Sequence, residues 1–164
     1  FLINWYVTKQ GYLNWKTFPL DAQVRKWLLF GILATFILHF LSVLISNLEG
    51  VSYMRGATST ENYYLVIDIM VSVLLTPFAE ELVFRKILTT LVFPKNIKLS
   101  LFVIGILFAA IHLPVTVGDW VNQLGAATIL SIIYYKTRRV EAAILIHIFM
   151  NLFITILFLW PLYS

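Results

Sequence analysis

The sequence predicts an all-α, polytopic transmembrane helical bundle with at least five spanning helices, one of them kinked near Pro77. Hydrophobic residues make up 60% of the 164 and charged residues only 12%, against roughly a quarter charged in ordinary globular domains. Several apolar runs approach or exceed the ~20 residues that cross a ~30 Å hydrocarbon core. The polar and basic residues fall in short clusters between those runs, as membrane-flanking loops do. A backbone in lipid must satisfy its own polar groups, so the runs are read as helices.

Residues 1–26 combine Trp5, Tyr6, Tyr12, Trp15 and Phe18 with Lys9, Lys16, Arg25 and Lys26. That mixture suits an interfacial segment or a partial N-terminal helix. The chain starts at Phe1 rather than Met, so the helix count is a minimum. Residues 27–48 form the clearest span, and the polar stretch 49–62, with Gly50 and Gly56, reads as a loop. The apolar pattern resumes at 63 and runs to 93, too long for one straight crossing, with Pro77 in its middle expected to kink or break the helix. A basic turn at 94–98 precedes an apolar segment, 99–113, stopped by Pro114. Asp119 is expected to start a further helix to Tyr135. Lys136, Arg138 and Arg139 then form a cationic turn before a last span at 140–160. The whole chain, 1–164, reads as a single transmembrane domain.

If the N-terminal segment is cytoplasmic, the inner loops hold every lysine and arginine named above together with Lys95 and Lys98, whereas the outer loops hold Arg55. The positive-inside rule is then satisfied throughout, and a multi-pass cell-membrane protein is expected. The net charge of +4 is distributed as topology and anionic-lipid signals are, so a nucleic-acid partner is excluded. The absence of cysteine removes disulfides, thiolate nucleophiles and cysteine metal sites. No repeat or inverted pair of halves points to a transporter.

Ionisable groups inside a spanning helix cost several kcal/mol unless paired or hydrated, so the few present are functional candidates. They are Asp68, Glu80, Glu81, Arg85, His39, His112 and His147, with Asn151 as a polar companion. Residues four apart share a helical face, so Glu81 faces Arg85 and can be neutralised by it, which leaves Glu80 as the freer base. At ~1.5 Å per residue, Glu80 and His112 both lie ~20 Å from the basic turn, with His147 and Asn151 at ~12 and ~18 Å. Four polar groups from three helices are therefore expected in one layer. His39, in the apolar run Thr-Phe-Ile-Leu-His-Phe-Leu, reads as a core residue. Asp68 reads as a hydrated helix end, and Asn122 and Gln123 as helix-start polarity.

The ordered set Glu80-Glu81-x-x-x-Arg85, Phe108-x-x-x-His112 and His147-x-x-x-Asn151 resembles the three motifs of the CAAX-protease and bacteriocin-processing (CPBP, or Abi) family of intramembrane proteases. The resemblance covers Pro77 to Asn151 and marks 63–160 as the catalytic helical core. It implies that Glu80 and His112 activate a water and that His147 and Asn151 donate to the oxyanion. Glu81 and Arg85 would shape the site, and Phe108 would pack beneath His112. It implies an endopeptidase acting on a peptide or membrane-protein substrate in the bilayer, in peptide maturation, bacteriocin immunity or CAAX-like processing, and the compact chain suits a bacterial plasma membrane. No cofactor is expected. A zinc protease using Glu80, His112 and His147 stays open, although no HExxH is present. A non-catalytic scaffold regulating a membrane partner is the reading from another class.

Overall fold

The computed structural model describes residue 18, residues 20–51, residue 67 and residues 69–163, with side chains described through 157. Asp68 and all of the 1–17 and 52–66 stretches, with the expectations placed on them, lie outside the described residues. Helix α1 (Ala22–Leu48) begins at Asp21, whose carboxylate accepts the Val24 N–H at 2.8 Å and so satisfies a donor that a helix start leaves orphaned. It ends at Gly50, whose φ of +69° suits glycine and turns the Val51 N–H back to the Ser46 carbonyl.

Residues 70–92 form one continuous rod of changing pitch. A π-helix, Met70–Leu75, leads into α2 (Thr76–Glu81), a second π-helix, Leu82–Leu88, and the single turn α3 (Thr89–Val92). Of the kink or break expected at Pro77, the break does not occur. Pro77 stands in the first turn of α2, and the wide turn before it already carries bonds to the fifth residue back, as from Thr76 N–H to Val71 O. The alternation has a second effect. Val73, Pro77, Glu81, Arg85 and Thr89 are all buried, one every four residues. In a pure α-helix such a stripe would rotate by about 40° per step; the π turns rotate it the other way, and the stripe keeps facing the protein.

Helix α4 (Ile97–Ile111) starts at Asn96, which accepts the Leu99 N–H. Helix α5 (Val117–Thr137) starts two residues before Asp119 with a capping box, in which Thr116 Oγ1 accepts the Asp119 N–H while Asp119 Oδ2 accepts the Thr116 N–H. Glu49 adds its carboxylate to the same helix start, accepting from Val117 and Gly118 N–H at 2.8 and 2.9 Å, where the helix dipole favours an anion. Helix α6 is Val140–Tyr163.

Five helical rods are thus described: α1, residues 70–92, α4, α5 and α6. Among the described residues two helices, α1 and Val140–Leu157 of α6, are long and apolar enough to cross a membrane. Helix α4, at 15 residues, is ~22 Å long, and α5 carries Asp119, Asn122 and Gln123 in its first half. The core lies where α5 meets α6, around Leu130, Ile133, Ala143 and Ile144. Helix α1 lays Thr35, Ser42 and Ser46 inward, mostly against α5, and presents Leu33, Ile37 and Phe40 outward. Close approach needs glycine at Gly118, since a Cβ there would overlap the Ser46 hydroxyl and crowd the Ser42 carbonyl.

Candidate active site

The buried stripe of the 70–92 rod brings Glu81 and Arg85 into the protein, both with no solvent exposure. Arg85 Nη1 donates to Glu81 Oε1 at 2.9 Å, as the four-residue spacing predicts. The same oxygen has a second partner from another helix: Nδ1 of His147 on α6 lies 2.9 Å away. A carboxylate oxygen only accepts, so His147 carries its proton on Nδ1 and turns Nε2 toward Glu80. Arg85 is held further by the Ala127 carbonyl at 3.4 Å and by the face of Phe108, 4.4 Å from Cζ to the ring centroid.

Glu80, one residue earlier, leaves the stripe and faces a cavity. Its Oε2 is 3.6 Å from His147 Nε2 and its Oε1 is 3.9 Å from His112 Nε2. His112 caps the C-terminus of α4, and its Nδ1 lies 2.7 Å from the Phe108 carbonyl oxygen, an acceptor, so Nδ1 carries the proton here too. Both imidazoles therefore present an Nε2 lone pair to the Glu80 carboxylate. Three acceptors converge at separations beyond a direct hydrogen bond, an arrangement that suits a bridging donor such as water. Phe108 ties the groups together, its ring centroid 4.7 Å from His112 and 5.7 Å from His147.

Glu80, His112 and His147 thus meet, although helical rise alone left His147 ~8 Å short of the other two. Asn151, one turn beyond His147, lines the same cavity of about 190 Å³ but spends one N–H on the Ser72 carbonyl at 2.8 Å. Three residues read from sequence as packing or helix-start polarity also stand on the cavity wall: His39 from α1, and Asn122 and Gln123 from α5. Thr35 joins them, four residues before His39, and that shared face of α1 was the available signal. Among the described residues no group of three or more His, Asp or Glu is arranged to hold a metal ion.

Residues 62–153, more than half of the chain, match the family model described as type II CAAX prenyl endopeptidase Rce1-like. No curated protein and no solved structure matches.

Proposed function

The chain belongs to the type II CAAX prenyl endopeptidase Rce1-like family, and from that membership we propose that it is an intramembrane endopeptidase in which Glu80 and His112 activate a water. The observation that carries the reading is the convergence of two Nε2 atoms on the Glu80 carboxylate, 3.6 and 3.9 Å away. A water between them would give one proton to Glu80 while hydrogen bonding to His112, and its oxygen would attack the scissile carbonyl. The second N–H of Asn151, and Nε2 of His147 when the imidazole has taken a proton from solvent, would donate to the tetrahedral oxyanion. Glu81, accepting from both Arg85 and His147, supports a positive charge on His147 when it forms. Glu80 then returns its proton to the departing amide nitrogen as the C–N bond breaks, so that water and a peptide bond yield an acid and an amine.

Family and composition make this a membrane protein. In our reading all five rods are embedded in a bacterial plasma membrane as one multi-pass domain over 1–164, with 63–160 as the catalytic core. The outward leucines and phenylalanines of α1 favour lipid contact. The substrate is a peptide or a segment of a membrane protein, and the chemistry proceeds without a metal.

Comparative peptidomics of membranes carrying wild type or Glu80→Gln tests activity and identifies the substrate at once. Cleavage products present with wild type and missing with the variant are the expected result. Identical peptide profiles would count against proteolysis and in favour of a scaffold. Inhibition by chelators, restored by zinc, would overturn the metal-free mechanism.

A further inference from the structure

A second cavity, of about 340 Å³, opens between α4 and α5. It shares no lining residue with the Glu80 cavity. Its walls are apolar, with Leu101, Phe102, Ile106 and Ile132 among them, whereas one end holds Lys98, Tyr135 and Lys136. The Nζ atoms of Lys98 and Lys136 each stand 5.9 Å from the centroid of the Tyr135 ring, and Arg138 Cζ stands 4.8 Å from it. Three cations, one from the start of α4 and two from the end of α5, are thus gathered on one ring. Like charges so placed repel, and a cation–π contact at an exposed site offsets only part of that cost. Of the acids nearest along the chain, Glu81 accepts from Arg85 and His147, Asp119 accepts from the backbone at the start of α5, and Glu141 is buried. The cluster calls for an anion.

Helix packing does not require the groove. A Cβ placed on Gly105, on its wall, would lie 3.8 Å from the Ala127 Cβ and 3.9 Å from the Ser131 hydroxyl, ordinary contact distances, so an alanine would fit and close part of the space. Glycine keeps it open. From Lys98 to Ile106 the groove follows two turns of α4, ~12 Å, apolar along its length and cationic at one end. That is the shape and polarity of a single amphiphile.

We propose that the α4–α5 groove seats an anionic phospholipid of the leaflet at the basic end, its phosphate between Lys98 and Lys136 beside Tyr135 and one acyl chain along the apolar wall. Basic pockets between helices at the membrane surface hold anionic headgroups in this way. The site rests on membrane embedding but not on proteolysis, so binding is measured in Glu80→Gln protein as well as in wild type, and a failed protease assignment leaves its result intact.

The test is native mass spectrometry of the full chain in detergent, titrated with phosphatidylglycerol or phosphatidylcholine of identical acyl chains. Retention of phosphatidylglycerol about tenfold or more over phosphatidylcholine is expected, two lysines each favouring the anionic headgroup. The Lys98→Ala/Lys136→Ala double variant should lose that preference. Thr128→Phe, which fills the groove from its exposed wall and leaves the lysines in place, should lose the lipid itself. Equal retention of the two lipids by wild type overturns the proposal without reference to any variant. So does displacement by excess inorganic phosphate, which would mean a surface ion site, or unaltered phosphatidylglycerol binding by either variant.

Discussion

Asn151 Nδ2 on α6 donates a 2.8 Å hydrogen bond to the backbone carbonyl of Ser72, the fifth residue before Pro77. The preceding pair in the same register, Thr76 N–H to Val71 O, is made by backbone alone. The next N–H in the series would come from residue 77, and proline has none. A side chain from another helix therefore supplies the donor that Pro77 withholds, and it fixes the rod carrying Glu80 to the helix carrying His147.

Asn151→Ala removes the Asn151 donor to the Ser72 carbonyl and should cost about 0.5–1.5 kcal/mol of stability, measured by thermal unfolding in detergent. Pro77→Ala restores a backbone N–H at the vacant position, so in the double variant the stability loss should shrink while cleavage stays impaired. A stability loss in the double variant equal to the sum of the two single losses would refute the coupling.

Glu80→Gln keeps the shape of the side chain but cannot take a proton, and His112→Ala removes one of the two Nε2 atoms facing it. Each should lower cleavage by about 10²–10⁴-fold, the usual scale of general-base catalysis. Because neither group belongs to the buried stripe, helical content and melting temperature should match wild type. Normal turnover in well-folded Glu80→Gln protein would remove Glu80 from the mechanism.

Arg85→Ala leaves the Glu81 carboxylate buried with its cation gone, a change expected to cost about 3–5 kcal/mol. The result should be a lower yield of folded protein and an earlier melt, in contrast to the two preceding variants. Arg85→Ala protein with wild-type stability would show that Glu81 is neutral in the fold.

Two glycines give opposite expectations. Gly118→Ala drives a methyl group into Ser46 and against the Ser42 carbonyl, separating α1 from α5 at a cost of about 1–3 kcal/mol. Gly105→Ala meets no close neighbour and should be neutral or stabilising by up to about 1 kcal/mol, as expected for glycine replaced inside a helix. Paired denaturation curves measure both.

The sequence by itself determined what composition and spacing along one helix can carry. Apolar runs located the rods to within a few residues, Glu81 and Arg85 were paired by their separation, and helical rise brought Glu80, His112 and Asn151 to about a common depth. Each of these depends on local geometry or on the cost of placing charge in hydrocarbon. Tertiary structure alone decided the rest. Pro77 was read as a kink or a break, and the rod continues through it because π turns, for which a 3.6-residue period has no place, are tolerated here by packing and by the donor from Asn151. Neither the sharing of Glu81 between Arg85 and His147 nor the place of His39, Asn122 and Gln123 on the cavity wall follows from spacing. Which side chains meet across helices is set by how each rod is rotated and tilted against its neighbours, and that is fixed by the whole packed interface rather than by any one segment.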